Sequence, residues 1–100
     1  MRRAAKVDAN HAAIVAALRR AGCSVQSLAG VGFGVPDLLV GVRGKMYLLE
    51  VKRPGEDLRE SQVEWNSKWR GPYPNMVTTP LEALMACSLV EARLMRNTER

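Results

Sequence analysis

One hundred residues, 47% hydrophobic and 25% charged, make one ordinary globular domain with room for a single modest core. That composition excludes a disordered chain, and no apolar run approaches the roughly 18 residues that a membrane span needs. A net charge of +5 and a pI near 9.8 favour polyanionic partners, nucleic acid first among them, through counterion release.

In chain order, Asp8 reads as the N-cap of a helix that runs to about Ala21 and stops at Gly22. His11, Ile14, Val15, Leu18 and Ala21 recur along it at helical spacing and mark its core face. Residues 23–28 alternate as a short strand. The glycine-rich segment 29–34 (AGVGFG) has no helix after it and no phosphate-cradling pattern, which argues against a nucleotide cofactor. Its Gly32 and Gly34 suit a sharp turn or a close approach of backbone to a ligand.

Residues 35–42 (VPDLLVGV) and 45–52 (KMYLLEVK) are two apolar runs joined by Arg43-Gly44, a hairpin signal. Arg53-Pro54-Gly55 breaks the second run. A helix is expected from about Leu58 or Ser61 to Arg70, ended by Gly71, with Gln62, Trp65 and Trp69 along one stripe and both tryptophans in the core. Residues 75–78 form a short strand. Thr79, Pro80 and Glu82 predict a capped final helix with Leu81, Leu84, Met85, Leu89 and Ala92 facing inward. The fold class is therefore α/β: a mixed four-stranded sheet flanked by helices, in one domain with residues 1–7 and 96–100 as fraying tails. The strand before Gln62 and the strand after it form a right-handed parallel crossover. Cys23 and Cys87 lie far apart in sequence, with no CxxC spacing, and read as free thiols.

The hairpin carries the chemistry. A turn centred on Arg43-Gly44 pairs Val42 with Lys45, Val40 with Tyr47, Leu38 with Leu49, and hence Asp37 with Glu50. Opposed residues on one face have Cβ atoms about 4.5–5.5 Å apart, so two carboxylates there repel unless a cation lies between them. Lys52, two residues beyond Glu50, shares its face. Two acids and a lysine at the open end of an apolar hairpin make a site for a metal ion and a phosphate. The bland alternative is that Lys52 merely bridges Glu50 at a strand end.

Gly34-Val35-Pro36-Asp37-Leu38-Leu39, then Leu48-Leu49-Glu50-Val51-Lys52, then Gln62, resemble the PD-(D/E)XK nuclease superfamily. Within it they are most similar to the VRR-NUC branch, whose small stand-alone members come from bacteriophages and prophages and look like Holliday-junction resolvases. The resemblance implies an αβββαβ(α) restriction-endonuclease-like core. It implies that Asp37 and Glu50 bind Mg²⁺ or Mn²⁺ with the backbone carbonyl of Val51, that Lys52 is the catalytic lysine, and that Gln62 stands beside it. Many relatives carry a further acid near the start of the first helix; here Asp8, Asn10 and His11 occupy that region. His11 is either a metal ligand or a core residue beside Ile14 and Val15, and Gln62 is either a positioning group or part of a solvated helix face.

Mg²⁺ takes oxygen ligands and keeps several waters, so two carboxylates and a carbonyl leave room for phosphate and water. A lysine among carboxylates favours its charged form, so Lys52 is expected as a fixed cation that stabilises the developing phosphorane, not as the base. The expected function is a divalent-metal-dependent endonuclease that hydrolyses DNA phosphodiester bonds, selective for branched or four-way junction DNA. Arg53, Gly32 and Gly34 are candidate DNA contacts. A homodimer in the cytoplasm of a bacterial host, phage or prophage encoded and independent of membranes, completes the expectation. The alternative is a non-catalytic DNA-binding module that keeps the nuclease fold.

Overall fold

Along residues 2–90, which the computed structural model describes with side chains from residue 9 onward, seven elements form in order. They are α1 (Arg2–Arg20), β1 (Ser24–Ser27), β2 (Leu38–Val42), β3 (Lys45–Val51), α2 (Glu60–Lys68), β4 (Asn75–Val77) and α3 (Pro80–Ala86). The fold is α/β, with one four-stranded sheet in the order β1-β2-β3-β4. The pairs β1/β2 and β2/β3 are antiparallel and β3/β4 is parallel, so the sheet is mixed.

The register of the central hairpin is the expected one: Val42 faces Lys45, Val40 faces Tyr47 and Leu38 faces Leu49. Its turn holds Arg43 (φ 55°) and Gly44 (φ 76°) both left-handed. Two central residues with positive φ are what a two-residue type I′ connection needs to match the strand twist. Leu38, Val40, Leu49, Val51 and Val77 lie on one face and bury against Ile14 and Leu18 of α1 and Ala83 of α3, with Cys23 and Cys87 in the same core. Both cysteines are free.

Helix α1 starts six residues before the expected Asp8 cap. Arg2, Arg3, Ala4, Ala5 and Lys6 are all strong helix formers with no breaker among them, so helix propagates through Asp8 and takes in most of the expected 1–7 tail. It ends as expected at Gly22 (φ 96°). There the Gly22 N–H donates to the Arg19 carbonyl and the Cys23 N–H to the Leu18 carbonyl, each at 3.0 Å, a Schellman closure. Helix α3 closes in the same way at Ser88 (φ 61°), with bonds from Ser88 to Met85 and from Leu89 to Leu84.

At the start of α3, the Glu82 N–H donates to Thr79 Oγ1 at 3.1 Å, as the capping signal predicts. The Glu82 carboxylate, however, reaches past Thr79 to the N–H and hydroxyl of Thr78. The inward face of α3 also differs from expectation. Ala83 is fully buried, Leu84 and Leu89 pack at the rim of the core, and Leu81 is exposed. The innermost positions of this short helix and its C-cap are the small residues Ala83 and Cys87. Ala92 and the expected 96–100 tail lie outside the described residues.

The second sheet face carries Leu39, Met46 and Leu48 and is only partly covered. Helix α2 ends at Lys68 and not at Arg70, because Trp69 turns extended (φ −75°, ψ 133°). Its indole donates to the Pro72 carbonyl at 2.9 Å and stacks on Trp65, with centroids 4.7 Å apart. Neither tryptophan belongs to the main core, contrary to expectation: Trp65 is half-buried and Trp69 is exposed. The pair closes one side of an apolar cleft of about 330 Å³ over Leu39 and Leu48. No helix among the described residues is long and apolar enough to cross a membrane.

Candidate functional site

Where β2 begins, Asp37 leaves the strand ladder but is held at both ends. Its carbonyl accepts the Leu28 N–H at 2.7 Å, and its carboxylate Oδ2 accepts the Val51 N–H at 2.8 Å. Successive residues of β3 point to opposite faces. Glu50 therefore lies on the face of Asp37 and away from the Leu38–Leu49 pair, as the hairpin register requires. The N–H and C=O of one strand residue leave on the same side. The Val51 carbonyl thus opens toward the Asp37 carboxylate, where the expected ligand set needs it.

The chain continues from β3 into Lys52, whose N–H donates to the Val77 carbonyl at 2.9 Å. Asn10 of α1 donates its side-chain amide to the Lys52 carbonyl at 3.3 Å, tying the first helix to this corner. Glu50, Lys52 and Gln62 are 5%, 5% and 3% exposed, and they are the buried polar residues of the molecule's described part. Ionisable side chains are rarely buried so fully without partners. Yet the ion pairs among the described residues are Arg53–Glu56 and Lys68–Glu64, both at the surface. Lys52 therefore does not bridge Glu50 as a simple strand-end pair.

Gln62 explains how Glu50 is aimed. It sits at the third position of α2, and its Oε1 accepts the N–H of Arg59 at 2.7 Å, capping the helix start. With its oxygen so engaged, its Nε2 can only point outward, and it donates to Glu50 Oε2 at 2.8 Å. Gln62 is thus neither on a solvated face nor a partner of Lys52; it positions the glutamate. Gly34 seats this helix end. Its φ is 81°, and a Cβ there would fall on the Ser61 carbonyl oxygen.

Burial pushes the Glu50 carboxyl up to about 8, helped by the neighbouring Asp37 carboxyl, while Lys52 and Arg59 pull it the other way. Two carboxyls gathered on one cleft wall make a corner short of positive charge. The donor atoms, two carboxylates and a carbonyl, are the hard oxygens that Mg²⁺ prefers. The residues present fit the ion.

All these groups line one cleft of about 400 Å³, with Asp37, Glu50, Val51, Lys52 and Gln62 on its floor. His11 lines it too, and its buried Nε2 has no hydrogen-bond partner. It does not pack in the core cluster. Nor does it join the carboxylates: among the described residues no three of His, Cys, Asp and Glu gather closely enough to hold a metal. Arg53 is on the rim, loosely paired with Glu56 at 3.9 Å. Gly32 and Gly34 do not line the cleft, so the structure gives Gly34 a packing role and leaves Gly32 (φ 77°) in the exposed loop. Arg59, on the rim beside Glu50, escaped the sequence reading. Nothing in the sequence marks it, because arginine is not among the residues that signal a helix N-cap. Comparison with protein-family models, with curated proteins and with solved structures finds no match to this chain.

Proposed function

We propose that this chain is a divalent-metal-dependent endonuclease of the VRR-NUC type, which hydrolyses phosphodiester bonds in branched DNA as a homodimer inside a bacterial cell. The observation that carries the reading is the convergence of Asp37, Glu50, Lys52 and Gln62 on one cleft, with buried polar groups that local ion pairs do not explain. A domain that leaves Glu50 and Lys52 buried but unbridged sacrifices stability, and a reaction at that spot is the compensating gain.

Asp37, Glu50 and the Val51 carbonyl would hold Mg²⁺ or Mn²⁺. When bound, the ion supplies polarisation of a phosphate oxygen and a lower pKa for its water. Lys52 contributes a fixed positive charge beside the phosphate as negative charge builds on it. Gln62 keeps Glu50 in one orientation, so the carboxylate does not have to reorganise during the reaction. A chain this small has little surface beyond the cleft for reading bases, which favours recognition of DNA shape. Two-fold symmetry of a pair of chains would give the two related cuts of junction resolution.

The rival, a DNA-binding module without activity, gains nothing from opposed carboxylates facing phosphate. The test is incubation of purified protein with labelled duplex, single-stranded, flap and four-way DNA, with Mg²⁺ or Mn²⁺. Wild type cuts at least one branched substrate, and Asp37→Ala and Lys52→Ala do not. Equal inertness of all three proteins on every substrate and with both ions overturns the proposal.

A further inference from the structure

Phe33 is the most exposed large apolar side chain of the described residues, at 89%. It stands at the tip of a turn in which Gly32, Phe33 and Gly34 all have positive φ, at 77°, 58° and 81°. A left-handed conformation is cheap for glycine but strained for phenylalanine, and such strain persists only where the surroundings enforce it. Here they do. Gly34 is wedged against the Ser61 carbonyl, and the Val35 N–H closes back on the Gly32 carbonyl at 3.2 Å. The ring is thus held out in water by a turn that packs on α2.

Its position is equally specific. The turn rests on the first turn of α2, one residue from Gln62, whose amide holds Glu50. Ala29, earlier in the same loop, lines the cleft, and Arg53 and Arg59 stand on the cleft rim. An aromatic ring on the loop that borders a cleft rimmed by Arg53 and Arg59 matches how proteins hold unpaired bases: charge follows the backbone while rings stack on bases. Apolar wedges of this kind also enter base steps that are already weakened.

We propose that Phe33 stacks on an unpaired or unstacked nucleobase next to the phosphate bound in the cleft, and so makes the site prefer branched DNA over continuous duplex. This rests on the nuclease reading above and adds the residue that selects the substrate.

The test is fluorescence anisotropy with a labelled four-way junction and a sequence-matched duplex, in saturating Mg²⁺ and in the Lys52→Ala background, where the ligands of the ion are intact and no cutting intervenes. Phe33→Ala weakens junction binding by about five- to a hundredfold, the range for loss of one base–aromatic stack. Duplex binding stays within about twofold, and Phe33→Trp keeps the preference, because every base stacks on an indole as well as on a phenyl ring. Equal affinities of parent and Phe33→Ala for the junction overturn the proposal. An equal loss on both DNAs does so too. A change of oligomeric state of Phe33→Ala in sedimentation would assign the ring to a subunit contact instead, and also overturns it. If the parent binds the junction and only the Phe33 effect is missing, the nuclease reading stands; if the parent binds neither DNA, both fall.

Discussion

Glu50 is where the chemistry and the stability of this molecule meet. Its carboxyl ionises at 4.5 when exposed and at about 8 in the folded cleft. Between those values the folded chain holds a proton that the unfolded chain has released. The stabilisation is therefore complete below pH 4.5 and lost as pH rises through 8. Glu56 and Glu82 are shifted the other way by backbone hydrogen bonds from Arg53 and Thr78, so their contributions change below 4.5 and leave this window clear. Thermal melts of the metal-free protein should show the midpoint falling from pH 5 to pH 8, and Glu50→Gln should flatten that slope. Gln62 bears on the site through Glu50, and it also caps the start of α2 through the Arg59 N–H. Gln62→Ala removes the amide that aims the carboxylate and should cost roughly ten- to a hundredfold in metal affinity or activity, as loss of an outer hydrogen bond to a ligand does. The effect should appear as a shift in the Mg²⁺ concentration needed for half-maximal cleavage. A loss of rate at saturating metal alone would place Gln62 at the phosphate instead.

Among the elements, the N-terminal end of α2 bears most directly on the site, because the glycine loop packs on it and Gln62 extends from it. Gly34→Ala should destabilise the protein by about 1–3 kcal/mol in urea melts, since the new Cβ meets backbone and the left-handed φ disfavours it. Gly30→Ala, where nothing lies within 4 Å and φ is not positive, should change stability little and serves as the control. The hairpin is legible in the sequence because a type I′ turn at Arg43-Gly44 fixes the register, and a period of two then places every side chain. The opposition of Asp37 and Glu50 follows from that register alone. The ends of α1 and α2 are not legible. Nothing in residues 2–7 stops a helix, and what ends α2 is the Trp69 indole reaching Pro72, a contact of the folded chain. The positioning role of Gln62 is hidden too, because it depends on an amide oxygen committed to Arg59. Phe33 reads as an ordinary loop residue because exposure and a positive φ are not written in composition.

At the scale of the molecule, one sheet face makes the core with α1 and α3, and the cleft opens at the sheet's end, where β2 begins, β3 ends and Asn10 and His11 of α1 reach across. The division lets a small domain keep an apolar interior and still gather Asp37, Glu50 and Lys52 where the sheet opens. The basic surface, +5 overall, then serves to draw a polyanion toward a corner whose own carboxyls would repel it without a cation. Binding of a cation at that corner is the step on which the proposed chemistry depends. Crystals of the protein grown or soaked in Mn²⁺ and measured for its anomalous signal test it directly. A metal-dependent site predicts a peak within coordination distance of the Asp37 and Glu50 carboxylates and the Val51 carbonyl, absent in Asp37→Ala. No peak at this corner at saturating Mn²⁺, or a peak bound equally well without Asp37, would contradict it.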